Sequence, residues 1–324
     1  MRTIGVIGGG AWGTALANAV ASAGKAVALW MRDPDAAARA ELSRTNKRYL
    51  PGVRLLDRIG VTSRPQSLAG AETILLVVPT QSLRTALANF AGVLPPRTPL
   101  VICSKGIERG TNLFSSEIVR ELRPEAPVAI LSGPSFAADV ARGLPTAVAL
   151  AAADEDLARA LAADLSGPTL RVYHGTDIRG VEIGGAAKNV LAIAVGIVEG
   201  RKLGESAKAA LTARGFAELL RFAQAYGGRP HTLMGLSGLG DLVLTCGSAQ
   251  SRNFSLGLEI GRGAPDAGGG KLAEGAFTAD ALIELARARE VEMPIAEAVA
   301  AVLAGRLTVD DVVESLMARP LKAE

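Results

Sequence analysis

Short apolar runs alternate with helix-length segments through the first half of the chain. Several of these runs are continuous, which is typical of strands that a parallel sheet buries on both faces. Eight strands are predicted, at residues 3–7, 26–31, 59–62, 73–78, 100–103, 128–131, 147–151 and 170–173. Because strands that alternate with helices favour a parallel sheet covered by helices, this half predicts an α/β domain.

The alternation stops near Gly185, and the rest of the chain has the pattern of helices separated by short Gly or polar breaks. Helices are predicted at 186–198, 207–226, 254–261, 278–289, 294–303 and 309–317, the last with a capping-box-like start at Thr308 and Asp311. The Gly-rich segment 261–270, with Pro265, is predicted to be a flexible loop. A length of 324 residues suits two domains, a nucleotide-sized α/β domain at 1–184 and an all-α domain at 185–324.

A glycine-rich turn joins the first predicted strand to a helix predicted at 14–23. Gly8, Gly10 and Gly13 have the G-x-G-x-x-G spacing, and Ala11 lies between them. In this context the three glycines allow a tight turn, a close approach to a pyrophosphate and close packing of the helix, whose positive end faces the phosphates. The sequence therefore predicts a Rossmann-type doubly wound sheet that binds a dinucleotide through Gly8, Gly10, Ala11 and Gly13.

Arg32 and Asp33, which follow the second predicted strand, are the residues that can indicate which dinucleotide is bound. Asp33 lies 20 residues after Gly13, near the spacing at which a carboxylate holds a ribose 2′-hydroxyl. Arg32 precedes it, and an arginine at this place can instead hold a 2′-phosphate. The alternative is that Arg32 is only a solvated charge at a strand end. NADP and NAD both stay open, with NADP slightly preferred.

The composition restricts the chemistry. The chain has two His (His174 and His231) and two Cys (Cys103 and Cys246). These numbers exclude a disulfide framework, leave almost nothing for a metal site and make a reducing, cytoplasmic location the default. Both histidines are minor catalytic candidates, so proton chemistry is expected to come from Lys, Asp or Glu.

The charge pattern argues against large anionic partners. Lys and Arg number 35 and Asp and Glu 32, a surplus of 3 without a basic run, so no nucleic-acid partner is expected. The 22 residues between Arg2 and Lys25 carry no charge, but the glycine-rich turn interrupts them. A signal peptide or membrane insertion is therefore not expected.

Two lysines are candidates for acid/base chemistry. Lys188 lies in a nearly apolar helix start at the predicted domain junction, where burial would lower its pKa toward neutral pH. Lys105 follows a strand at the carboxyl edge of the sheet, where ligands bind in open α/β folds. The alternatives are a snorkelling lysine at 188 and a solvated loop lysine at 105.

Asp241 is flanked by glycines and apolar residues, and a buried carboxylate there needs a partner such as a lysine ammonium. Asp241 is equally consistent with a helix N-cap. Thr245, four residues later, would share its helix face and add a hydroxyl donor.

A second polar segment suits an anion. Ser251 precedes a predicted helix whose N-terminus attracts phosphate, and Arg252 offers a bidentate fork beside Asn253. Capping without any ligand is the alternative. The segment GPSFA at 133–137 also follows a strand, so its backbone faces the carboxyl edge.

These segments together resemble the family of cytoplasmic, bacterial-type NAD(P)-dependent glycerol-3-phosphate dehydrogenases, essentially from end to end. The resemblance is carried by GGGAWGTALA at 8–17, YLPG at 49–52, SKGIE at 104–108, LSGPSFA at 131–137, GAAKN at 185–189, GLGDL at 238–242, QSRN at 250–253 and AEG at 273–275. Each segment alone is a weak indication of the family, but the joint order and spacing of all of them are specific for it.

The resemblance implies reversible reduction of dihydroxyacetone phosphate to sn-glycerol 3-phosphate for phospholipid synthesis. It implies Lys188 as general acid/base, with Lys105 and Asp241 completing the catalytic group. The implied substrate site comprises Lys105, Gly133, Ser135, Lys188, Asp241, Ser251, Arg252 and Asn253. The implied cofactor contacts beyond the glycine turn are Trp12, Arg32, Tyr49, Lys105, Ala137, Arg252 and Glu274. Asn189 and Thr245 look like supporting polar groups, and a homodimer is the default assembly.

The chain departs from the family pattern at Ser206, where Asn is usual, and in the unusually Gly-rich 262–270 loop. The competing activity is a related 3-hydroxy acid or 6-phosphogluconate dehydrogenase, which also places a Lys at the start of its helical domain. A dinucleotide-sensing DNA-binding regulator is the non-enzyme alternative.

Overall fold

The computed structural model describes residues 3–263 and 273–318. Eight strands lie in one sheet. Their bounds are Thr3–Ile7 (β1), Ala26–Trp30 (β2), Ile59–Thr62 (β3), Thr73–Leu76 (β4), Leu100–Ile102 (β5), Val128–Ser132 (β6), Thr146–Ala152 (β7) and Leu170–Gly175 (β8). All eight predicted strands are confirmed, with ends that differ by at most two residues.

The strand order is β3-β2-β1-β4-β5-β6-β7-β8. The order reverses between β1 and β4, and in doubly wound sheets a ligand binds in the crevice at such a point. One expectation needs correction, because β7 runs antiparallel to β6 while all the other neighbours are parallel. A buried apolar run looks the same in either direction, so the pattern alone could not reveal this reversal.

The helices alternate with the strands in the first half of the chain and follow one another in the second half. They are Ala11–Ser22 (α1), Pro34–Ser43 (α2), Leu83–Ala88 (α3), Ser115–Leu122 (α4), Ala137–Ala141 (α5), Glu155–Leu165 (α6), Ile178–Gly200 (α7), Glu205–Ala225 (α8), Pro230–Leu233 (α9), Asp241–Cys246 (α10), Arg252–Gly261 (α11), Glu274–Ala288 (α12), Pro294–Leu303 (α13) and Val309–Met317 (α14). Residues 264–272, most of the Gly-rich loop predicted at 261–270, lie outside the described residues.

Three apolar cores hold these elements together. One lies between the sheet and α1, α2 and α6, and a second lies on the opposite sheet face under α3 and α4. The third surrounds α7 and is made by the C-terminal helices. The sheet is therefore covered on both faces, as the continuous apolar strands predicted.

Helix α7 is the central element of the C-terminal half. It begins at Ile178 behind an Asp177 cap, eight residues before the predicted start, and runs through the predicted domain boundary at 184/185. The glycines at its start lower intrinsic helix propensity, and tertiary packing overrides that preference. Among the described residues, α7 is the one helix long and apolar enough to cross a membrane, and its apolar window is entirely buried inside the protein. The division of the chain into two domains at 184/185 stays a prediction.

Candidate active site

The glycine turn has the geometry that a dinucleotide requires. Gly8 has a φ of +123°, and a side chain there would collide with the Val77 carbonyl after β4. A side chain at Gly13 would collide with the Gly8 carbonyl, so α1 packs directly on the turn. Apart from its chain neighbours, no atom of the described residues lies within 4 Å of a Cβ built at Gly10, which caps α1 without a side chain of its own. The start of α1 thus leaves room for the pyrophosphate of a dinucleotide.

Trp12 and Asn46 complete this turn. The indole Nε1 of Trp12 is buried and has no hydrogen-bond partner among the described residues, which fits a ligand that supplies one. Buried Asn46 donates from Nδ2 to the Gly9 carbonyl and to the Thr14 hydroxyl, each at 2.8 Å. The residues present therefore fit a dinucleotide. Sequence reasoning missed Asn46, since no local pattern shows that its amide reaches the turn.

The adjacent residues Arg32 and Asp33 differ in what they do. The Asp33 carboxylate accepts from the backbone N–H groups of Asp35 and Ala36, at 3.0 and 3.1 Å, and so caps α2. The hydrogen bond from Ala36 leads the causes that hold the pKa of Asp33 below its ordinary value. Arg32 is exposed beside it and free of this capping role.

Three charged groups from separate elements meet at the carboxyl edge of the sheet. Lys188 Nζ, from the middle of α7, donates to Asp241 Oδ1 at 2.6 Å. Lys105 Nζ, from the loop after β5, donates to Asp241 Oδ2 at 2.7 Å and to the Gly133 carbonyl at 3.1 Å. Lys188 and Asp241 are buried, and the Lys105 side chain is 16% exposed. The prediction that a buried Asp241 needs a lysine partner is confirmed, and it has two.

The environment prepares Lys188 for proton transfer. Burial lowers the pKa of Lys188 to about 8, and the positive charge of Lys105 acts in the same direction against the opposing effect of Asp241. Burial alone would raise the pKa of Asp241, but Lys105 and Lys188 outweigh it and hold that pKa below its ordinary value. The carboxylate thus stays charged while the buried ammonium can lose its proton near neutral pH.

Neighbouring polar groups hold the cluster. Lys188 Nζ also donates to the Thr245 hydroxyl, and Asp241 and Thr245 share one face of α10 as predicted. Asn189 donates from Nδ2 to the Lys105 carbonyl at 3.1 Å. The Ser135 hydroxyl donates to the same Gly133 carbonyl that Lys105 contacts, at 3.0 Å.

The predicted anion segment lies beside this cluster. Ser251 caps α11 by accepting from the Phe254 N–H at 3.2 Å, while Arg252 begins the helix with an exposed side chain. The Asn253 Oδ1 accepts from the Gly275 N–H at 2.9 Å. The backbone of Gly275 in turn packs so closely on Asn189 that an added Cβ would lie 2.6 Å from its carbonyl oxygen. Helices α7, α11 and α12 therefore meet within one turn of Lys188.

Glu274, at the start of α12, faces the sheet edge. It accepts from the Thr80 N–H at 3.1 Å. Burial raises the pKa of Glu274, while Thr80, Arg252 and Lys105 act in the opposite direction. Its carboxylate is thus electrostatically linked to both the anion segment and the lysine cluster.

The remaining candidates lie away from this centre. Ala137 begins α5 and packs with Trp12 into the core beneath the glycine turn. Arg32 and Tyr49 are exposed and, within the described part of the chain, share no hydrogen bond or ion pair with the lysine cluster. His174 and His231 are exposed, and His231 lies in the short helix α9, which begins at Pro230.

Comparison with known proteins gives a consistent result. The model for the N-terminal part of NAD-dependent glycerol-3-phosphate dehydrogenase matches residues 3–158, and the model for its C-terminal part matches 177–314. A protein of Methylobacterium radiotolerans named glycerol-3-phosphate dehydrogenase (NAD(P)+) is 62% identical over 99% of this chain and 98% of its own. One of Bradyrhizobium sp. with the same name is 61% identical over 100% and 98%.

Solved structures show the same relationship. The crystal structure of glycerol-3-phosphate dehydrogenase from Coxiella burnetii is 37% identical and covers 98% of this chain and 99% of its own, with a TM-score of 0.92. A ketopantoate reductase from Ralstonia eutropha, at 17% identity over 94% and 98% of the two chains and a TM-score of 0.62, shares the fold alone.

Proposed function

Because the chain belongs to the NAD-dependent glycerol-3-phosphate dehydrogenase family, we propose that it interconverts dihydroxyacetone phosphate and sn-glycerol 3-phosphate with NAD or NADP, with Lys188 as general acid and base. The observation that carries this assignment of Lys188 is its burial against Asp241 at the carboxyl edge of the sheet. The dinucleotide, when bound, supplies or accepts the hydride.

Lys188 holds the proton that the substrate oxygen gains or loses. In reduction its ammonium donates to the carbonyl oxygen, and in oxidation its neutral amine accepts the hydroxyl proton. Asp241 accepts hydrogen bonds from both lysines and keeps Nζ of Lys188 in one place. Lys105, more exposed than Lys188, offers a positive charge to the substrate oxygens from the other side of Asp241.

The remaining candidate residues bind and orient the substrate and the cofactor. Ser251, Arg252 and Asn253 hold the substrate phosphate at the start of α11, where free N–H groups favour an anion. Gly133 and Ser135 border the substrate next to Lys105. The turn residues Gly8, Gly10, Ala11, Trp12 and Gly13 would hold the pyrophosphate of the dinucleotide, with Arg32, Tyr49, Lys105, Ala137, Arg252 and Glu274 as further cofactor contacts. In this proposal the enzyme acts in the cytoplasm as a homodimer, and its product supplies phospholipid synthesis.

The proposed activity is tested by following NADH and NADPH oxidation with dihydroxyacetone phosphate as acceptor. A hydroxyisobutyrate assay and a 6-phosphogluconate assay, each with NAD+ and NADP+, are the comparisons. Turnover of dihydroxyacetone phosphate is expected. Turnover of either of the other two substrates without it would assign the chain to the competing dehydrogenases.

Replacing Arg252 by alanine is expected to raise KM for dihydroxyacetone phosphate about 10- to 100-fold, since a hydrogen bond to a charged group is lost. The effect on kcat should be smaller, because the proton-transfer group is untouched. Steady-state kinetics measure both. Arg262→Ala, at the exposed opposite end of α11, is the matched control. An unchanged KM in Arg252→Ala would contradict the anion-site assignment.

Replacing Arg32 by alanine is expected to weaken NADPH binding about tenfold while NADH binding changes little, because only NADPH carries the 2′-phosphate. The carboxylate of Asp33 is already engaged in capping α2, which leaves Arg32 to read this position. Titrations of intrinsic fluorescence give both dissociation constants. Arg39→Ala, exposed on α2, is the control. Equal losses for the two cofactors would disprove the 2′-phosphate contact.

A further inference from the structure

Two adjacent glycines in α7 are packed so closely by neighbouring residues that neither leaves room for a side chain, and none of the proposed roles explains this packing. Gly184 and Gly185 lie in the helical turn just before Lys188. Glycine weakens a helix interior, so a pair of them there calls for a packing reason. Gly184 faces the turn that leads into Asp241, and Gly185 faces the end of β6 and the side chain of Lys105.

Gly184 faces the segment that leads into Asp241. A Cβ at this position would lie 2.7 Å from the Ser237 carbonyl oxygen and 3.2 Å from the Gly238 Cα. Both atoms belong to the π-helical turn Leu236–Gly240, which runs directly into α10. Because backbone atoms cannot rotate away, a side chain at 184 must displace this turn and with it Asp241.

Gly185 faces the sheet edge that carries Lys105. A Cβ here would lie 2.6 Å from the Ser132 Oγ and 3.4 Å from the Cγ of Lys105. Ser132 ends β6 and is buried, and its hydroxyl has no hydrogen-bond partner among the described residues. A Cβ at 185 would therefore have to displace this hydroxyl or move α7 away from it.

We propose that Gly184 and Gly185 are positioning residues, which together set the separation of Lys188 from Asp241 on one side and from Lys105 on the other. This inference rests on the proposed role of the cluster in catalysis. The missing Cβ at 184 lets the backbone of the Leu236–Gly240 turn approach α7, and the missing Cβ at 185 leaves room for the Ser132 hydroxyl beside it. The two hydrogen bonds to Asp241, at 2.6 and 2.7 Å, depend on that approach.

The test compares Gly184→Ala and Gly185→Ala with the wild type. A displacement of about 1 Å at a catalytic group can cost roughly 100-fold in rate, and a loss of kcat of this size is expected for both variants. The NADPH dissociation constant should change less than kcat, because the glycine turn that would hold the pyrophosphate lies on other elements. Gly200→Ala is the control, since its Cβ would meet the Leu258 carbonyl oxygen at 2.5 Å, far along α7 from Lys188. It should lower the melting temperature without lowering kcat.

A rescue variant separates positioning from general destabilisation. In Ser132→Ala/Gly185→Ala the clashing hydroxyl is gone and the remaining neighbours lie at 3.4 and 3.5 Å, an ordinary contact. This double variant should fold and regain most of kcat, even if Gly185→Ala alone does not fold. A double variant as impaired as Gly185→Ala would overturn the inference, as would wild-type kcat in either single variant.

A crystal structure of Gly184→Ala gives a readout that does not depend on the substrate. The hydrogen bond from Lys188 Nζ to Asp241 Oδ1 should be longer than the present 2.6 Å, and an unchanged cluster would overturn the inference. The proposed function is judged separately, from the wild type with dihydroxyacetone phosphate.

Discussion

Replacing Lys188 by alanine is expected to lower kcat about 10²- to 10⁴-fold, the contribution of a positioned general acid or base. The loss should fall on kcat more than on cofactor binding, because the glycine turn and Lys188 lie on different elements. Asp241 keeps Lys105 as a partner in this variant, so the fold should persist. Stopped-flow and steady-state rates, with fluorescence titration of NADPH, measure the two effects.

Lys188→Met is the matched variant, since it keeps the length and apolar volume of the side chain and removes only the ammonium. It should lose as much kcat as Lys188→Ala. Lys208→Ala, which removes an ammonium that is 25% exposed and bonded to Glu199, should keep near-normal turnover. Near-normal turnover in Lys188→Met would remove Lys188 from the chemistry.

The pH dependence of the wild type checks the same assignment. The pKa of Lys188 is lowered by burial to about 8. Reduction needs the ammonium, so its kcat should fall as pH rises through about 8. Oxidation needs the neutral amine, so its kcat should rise through the same range. Profiles with the same sign in both directions would contradict a single acid/base group.

Replacing Asp241 by alanine is expected to have the largest effect on stability. The change leaves the ammonium groups of Lys105 and Lys188 close together without their shared carboxylate. Removing one member of a buried ion pair costs roughly 3–5 kcal/mol in the free energy of unfolding. The pKa of Lys188 should also fall further, because Asp241 is the main group that raises it. Both lysines then lose their fixed positions, and kcat should fall with them.

Urea denaturation of Asp241→Ala and Asp241→Asn measures the stability change. The asparagine variant keeps the shape and one acceptor oxygen, so it should be less destabilised and still lose kcat. Asp164→Ala is the control for a peripheral pair, because Lys25 and Asp164 are bonded at 2.9 Å with both side chains partly exposed. Asp164→Ala should lower the free energy of unfolding by no more than about 1 kcal/mol. Equal losses in the free energy of unfolding for Asp241→Ala and Asp164→Ala would contradict the inference that the two lysines depend on the buried carboxylate of Asp241.

The candidate site illustrates how far local patterns reach. The G-x-G-x-x-G spacing between a strand and a helix located the turn, and the need of a buried carboxylate for a partner linked Asp241 to a lysine. The contacts of Asn46, Gly184 and Ser132 were not predicted, because an amide, a glycine and a serine carry no local sign of which distant residue they meet. Their partners are 37, 53 and 53 residues away in sequence.

The sequence by itself determined the eight strands, the glycine turn and the helical second half, because hydrophobic periodicity and turn chemistry act over a few residues. It also limited the acid/base chemistry, through two histidines and an apolar segment around Lys188. Only the tertiary structure decided the reversed direction of β7 and the sharing of Asp241 by two lysines. Those features depend on which distant elements pack together, and close packing is a property of the assembled chain rather than of any one segment.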